Sequence, residues 1–156
     1  MRGSEIITYV EVDVDIYYAD VVTGLAIEDQ FAVRATLARY CHRCDDGDLA
    51  GVVALFTADG VLVHGDRTAR GTAQLLGFFQ SAQSNPRQRG KHVTVNAVLE
   101  PGGGGLVRVI ADFVFLRFAG ERLVPAITGR YHDEIVRADG AWRFARREVH
   151  TLERPG

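Results

Sequence analysis

Between residues 5 and 18 the side chains alternate, with Ile6, Thr8, Val10, Val12, Val14, Ile16 and Tyr18 on one face and Glu11, Asp13 and Asp15 on the other. A period of two is the mark of a strand. Residues 1–24 are therefore expected to form an N-terminal strand or arm that pairs with a sheet edge, of this chain or of a second copy. After Gly24 the period lengthens: Ile27, Phe31, Ala35, Ala38 and Cys41 recur every three or four positions, with Glu28 and Asp29 in the first turn. That spacing predicts a long helix to about Cys44, its acidic start placed against the positive end of the helix dipole. Asp45-Asp46-Gly47 breaks it, and Asp48 is positioned to cap a short second helix carrying Leu49, Val52, Val53, Leu55 and Phe56, ending at Thr57-Ala58-Asp59-Gly60.

Val61 to His64 reads as a short strand, 65–71 as a loop, Thr72 as the cap of a third helix bearing Leu75, Leu76, Phe78 and Phe79, and 84–90 as a second loop. From Lys91 onward the pattern is strand: 91–100, 106–118, 122–137 and 142–150, separated by glycine-bearing turns. Helices gathered early and hairpins gathered late predict an α+β domain, one curved antiparallel sheet wrapped over three helices.

At 156 residues and 47% hydrophobic composition the chain has material for one core, so residues 25–156 are expected to be a single domain. A formal net charge of -2 supplies no excess for phosphate backbones, so no nucleic-acid partner is expected. No apolar run approaches the roughly 20 residues that span a bilayer, and the N-terminus lacks a basic-then-apolar leader. A cytoplasmic protein without a membrane partner is the expectation. Cys41 and Cys44 have a redox-pair spacing but lie late in a helix, and no second ligand pair completes a zinc site. Gly102 to Gly105 join two strands and lack the Lys-Ser or Lys-Thr of a phosphate loop, and Asp45, Asp46 and Asp48 lack calcium-loop spacing. No metal and no cofactor is expected.

Five segments in order carry a resemblance: Leu37 to Asp48 (LARYCHRCDDGD), Leu55 to Gly60 (LFTADG), Lys91 to Asn96 (KHVTVN), Gly129 to Asp133 (GRYHD) and Asp139 to Arg147 (DGAWRFARR). Together they resemble the SnoaL-like branch of the nuclear transport factor 2-like (NTF2-like) superfamily, over roughly residues 25–150. The resemblance implies a cone-shaped α+β barrel around a pocket. It is nearest to the subgroup of scytalone dehydratase and lindane dehydrochlorinase, in which an aspartate after the first long helix pairs with a histidine opening the first meander strand. By position these are Asp45 and His92, and Tyr131 matches a polar pocket position. The second histidine of the scytalone enzyme has no clear counterpart, and Tyr40 stands where the dehydrochlorinase has a basic residue.

A carboxylate that accepts the Nδ1 proton of an imidazole leaves Nε2 free as a general base. On the strand from Lys91, alternation places His92, Thr94 and Asn96 on one face, from which His92 and Asn96 would enter the cavity. Tyr40, His64, Asn96, Phe56, Phe79, Phe113 and Ile127 are the candidate substrate contacts, within an aromatic set that also includes Phe31, Phe78, Phe115, Phe118 and Trp142. His132 and His150 are expected on solvated or subunit-facing surfaces, and the arginines 143, 146 and 147, which strand alternation splits between faces, as an ion-pair network with Asp and Glu. The resemblance implies a cofactor-independent lyase, isomerase or cyclase for a small hydrophobic, polycyclic or aromatic molecule, working as a homo-oligomer (dimer or trimer). The alternatives are a non-catalytic ligand-binding or small-subunit module of an oxygenase-type assembly, and an epoxide hydrolase in which Asp112 activates water.

Overall fold

The structure, a computed structural model, describes residues 24–83 and 85–152. The alternating segment 5–18 lies outside the described residues. Helix α1, Ile27–Asp46, buries Val33, Thr36, Leu37, Tyr40, Cys41 and Cys44. This stripe is rotated from the expected one, since Ile27 and Phe31 are 53% and 68% exposed. Both stripes hold apolar residues, and packing selects the one whose polar members find partners: the Thr36 hydroxyl donates to the carbonyls of Ala32 and Trp142. Gly47, at φ 73°, ends the helix in the left-handed conformation that glycine adopts without steric cost, and its N–H returns to the Cys44 carbonyl.

Asp48 caps α2, Leu49–Val53, by accepting the Gly51 N–H at 2.8 Å, as its position suggested. Strand β1, Phe56–His64, starts earlier than expected, so Thr57 to Gly60 lie in the strand rather than in a helix-ending turn. They span the break between the Phe56↔Phe144 and Val61↔Arg146 pairings with β6. A tight hairpin pairs His64 with Arg67 and adds β2, Arg67–Arg70, where a loop was expected. Helix α3, Gly71–Gln83, begins one residue before Thr72, and the Gln74 side chain, not Thr72, reaches back to accept the Arg70 N–H. After a 3-10 turn at Pro86–Gln88 come β3, Gly90–Gly103, β4, Leu106–Ala119, β5, Arg122–Ala138, and β6, Ala141–Thr151.

The six strands form one sheet in the order β2-β1-β6-β5-β4-β3. The meander is antiparallel as expected, but β1 pairs with β6 in parallel, so the sheet is mixed. An odd number of reversals separates β3 from β6, and β6 comes back beside β1 running the same way. Val107, Val109, Ala111, Ile135 and Phe144 face inward against α1 and α3 and form the core with Leu37, Leu75 and Phe79. The outer edge of β3 is blunted by a bulge at Asn96 (φ 54°), by Pro101, and at its start by a carboxylate from α1. No helix among the described residues is long and apolar enough to cross a membrane.

Candidate active site

A cavity of about 170 Å³ lies between the C-terminal halves of α1 and α3 and the inner face of the sheet. Asp45, in the last turn of α1, brings its carboxylate to the start of β3. Its Oδ1 lies 2.7 Å from His92 Nδ1, and both carboxylate oxygens accept the His92 backbone N–H, at 3.1 and 3.3 Å. Lys91 Nζ stands 3.5 Å from Oδ2, and the Asp45 side chain is only 2% exposed. Held by two neighbouring residues, the carboxylate fixes the imidazole with Nδ1–H donating and the Nε2 lone pair available. Phe115 packs 4.7 Å from the His92 ring and keeps it 16% exposed. Such a pair can take a proton from a bound molecule and stabilise the resulting imidazolium.

Tyr131, on β5, lies in the same wall and stacks on Phe113 at 4.4 Å and 14°. Gly129 makes the stack possible, because a Cβ there would sit 2.6 Å from the Phe113 ring. Beneath Tyr131 and Tyr40 lies Arg147, whose Cζ is 4.0 and 4.1 Å from their ring centres and 4.3 Å from that of Phe144. Arg147 pairs with Asp133 through Nε and Nη2 at 2.8 and 2.7 Å, and both side chains are 0% exposed. Arg147 was expected in an ion-pair network with Asp and Glu, and its pair is a buried one. The register shift between Glu134 and Ile135 inserts Ala145 and turns Arg147 inward, while Arg146 pairs with Glu148 at 2.6 Å on the outer face as expected. Burial holds the Tyr40 and Tyr131 hydroxyls well above their ordinary pKa despite the cation, so both remain neutral donors at physiological pH.

Tyr40, His64, Phe79, Phe113 and Ile127 all line the cavity as anticipated. Burial, with Arg67 close by, depresses the His64 imidazole below its usual pKa and favours the neutral ring. Two expected contacts are corrected. Asn96 sits in the β3 bulge, where the side-chain alternation breaks, and its amide donates to Asp112 at 3.1 Å on the exposed face. Phe56 is absent from the lining and packs in the core against Phe144 at 5.1 Å. In the wider aromatic set, Phe31 and Phe118 are exposed, and Trp142 packs in the core with its indole N–H donating to Asp29. Asp112 is held by Arg130 at 2.7 Å outside the cavity, which removes the basis for its water-activating role.

Sequence reasoning missed Cys44, Gln83 and Arg89 as wall residues, because each gains its place from how the ends of α1 and α3 converge. Cys41 and Cys44 are buried, and burial pushes the Cys44 thiol up to about 12. Alkylation of the native protein with iodoacetamide is accordingly expected to leave both thiols unmodified until denaturant is added; rapid native labelling, read by mass spectrometry, would contradict this.

No curated protein matches the chain. Solved structures similar to it include a protein of unknown function with a cystatin-like fold from Nostoc punctiforme, at 22% identity and TM-score 0.74 over 82% of this chain and 94% of that one. A candidate scytalone dehydratase from Novosphingobium aromaticivorans is similar at 20% identity and TM-score 0.71, over 81% of this chain and 86% of that one. ActVI-ORFA from Streptomyces coelicolor is similar at 21% identity and TM-score 0.72, over 78% of this chain and 96% of that one. At these identities the likeness is one of fold, but the SnoaL-like domain pattern itself matches residues 26–148, and the chain belongs to that family, with an NTF2-like fold.

Proposed function

We propose that the chain is a cofactor-independent lyase or isomerase that acts on a small, largely apolar molecule, with His92 as general base and Asp45 as the group that orients it. The observation that carries this reading is the 2.7 Å contact between Asp45 and His92 Nδ1 in a cavity wall otherwise rich in aromatic rings. His92 Nε2 removes a proton from carbon beside a carbonyl. The C–H electron pair moves toward the carbonyl oxygen, where the Tyr131 hydroxyl donates to the developing negative charge. Reprotonation at another carbon completes an isomerisation. Loss of a hydroxyl from the β-carbon, with the proton returned to it from His92, completes an elimination that releases water. The fold's likeness to a candidate scytalone dehydratase supports the second course.

A β-hydroxytetralone tests it: elimination yields water and an enone that aromatises to a fluorescent naphthol. Wild-type protein is expected to accelerate naphthol formation, and His92→Ala to lower kcat by about 10²–10⁴-fold with the circular dichroism spectrum unchanged. Equal turnover by the variant, or ligand recovered unaltered from both, removes the proposal and leaves a binding module.

A further inference from the structure

The cavity mouth carries charge that the acid–base chemistry does not use. Arg89, between the 3-10 turn and β3, reaches the wall beside Cys44, Asp45 and Gln83. Its Nε–H donates to the Gln83 carbonyl at 3.3 Å and its Nη1 to the Asp46 carbonyl at 3.5 Å, so the guanidinium bridges the C-terminal ends of α3 and α1. Helix C-termini present carbonyl oxygens and the negative dipole end, a fitting seat for a cation. Gly47 leaves room for it, because a Cβ there would lie 2.1 Å from Arg89 Cζ. Among the described residues, no hydrogen bond uses Nη2 and no carboxylate pairs with Arg89.

Arg87 and Lys91 flank it around a recess that shares Asp45, Arg89 and Gly90 with the cavity and that Pro86 and the exposed Phe118 also line. Among the described residues, the one carboxylate lining that recess is Asp45, which is 2% exposed and already shared by His92 and Lys91. The described residues thus make the rim positive on a chain whose net charge is -2.

We propose that this rim reads an oxyanion: the cavity takes the apolar body of the ligand, and Arg89 takes a carboxylate or phosphate attached to it. The inference rests on the cavity being the ligand site, and not on the reaction proposed for it. A planar guanidinium already held at two corners offers its remaining N–H groups in a fixed direction, which suits both anions, while Arg87 and Lys91 add attraction at longer range.

Four probes of similar shape separate charge from fit: naphthalene, naphthol, naphthoate and naphthyl phosphate, with dissociation constants measured by calorimetry at low salt. At least one anion is expected to bind about tenfold or more tighter than naphthol, and which one does identifies the oxyanion. Arg89→Gln is expected to bring the ratio to near one by weakening the anion far more than naphthol, and Arg89→Lys to keep part of the preference. Absence of any preference in the wild type, or a preference that survives Arg89→Gln, overturns the proposal. Should Arg89→Gln fail to fold, salt decides on the wild type: anion affinity that falls with added potassium chloride while naphthol affinity holds supports the rim, and no such difference sinks it. These arms read binding alone, so their failure leaves the proposed turnover standing, and loss of turnover leaves the rim standing.

Discussion

Asp133→Ala is expected to lower the free energy of unfolding by about 3–5 kcal/mol, a large share of what a domain of this size possesses. The carboxylate meets Arg147 in a two-point contact with neither side chain exposed. Removing it strands a guanidinium among Tyr40, Tyr131 and Phe144 with no opposing charge beside it. Among the described residues Arg147 Nη1 already has no hydrogen-bond acceptor, and the facing aromatic rings are its compensation. The double replacement Asp133→Leu with Arg147→Met is expected to cost much less, because it removes both charges and retains volume. Urea unfolding followed by the fluorescence of Trp142, the single tryptophan, measures both. A loss below about 1 kcal/mol for Asp133→Ala would show that the stranded cation finds water or a new partner.

Asp45→Asn is expected to reduce kcat by about 10²–10⁴-fold with little change in KM or in the unfolding midpoint. The amide is nearly isosteric, and its oxygen can still accept the His92 backbone N–H, so the junction of α1 and β3 survives. Its NH₂ group, however, donates where the carboxylate accepted, which favours the imidazole tautomer with Nε2 protonated and removes the base. The charge that stabilises the imidazolium is lost as well. Conversion of the β-hydroxytetralone gives the kinetic readout, and nitrogen NMR of His92 reports the tautomer directly. An unchanged tautomer together with unchanged kcat would exclude Asp45 from the chemistry.

Much of the fold was legible because local rules dominate there. The four meander strands lie within a few residues of their expected limits, since glycine-bearing turns interrupt runs of apolar residues. The cap at Asp48 and the break at Gly47 were legible for the same reason. Asp45 and His92 were selected as a pair by resemblance together with helix-end and strand-start positions; nothing local brings residues 47 positions apart to 2.7 Å.

What the sequence by itself determined about this protein is therefore the order of its elements apart from β2, and a short set of titratable candidates. The tertiary structure alone decided which of two apolar stripes of α1 faces inward, that β1 and β6 run parallel, that a bulge turns Asn96 out of the cavity and a register shift turns Arg147 into the core, and that Arg89 sits at the mouth. The division has one physical cause. Propensity and period act over a few residues, whereas a strand bulge shifts every later side chain to the opposite face, and the burial of an arginine depends on a carboxylate delivered by another strand.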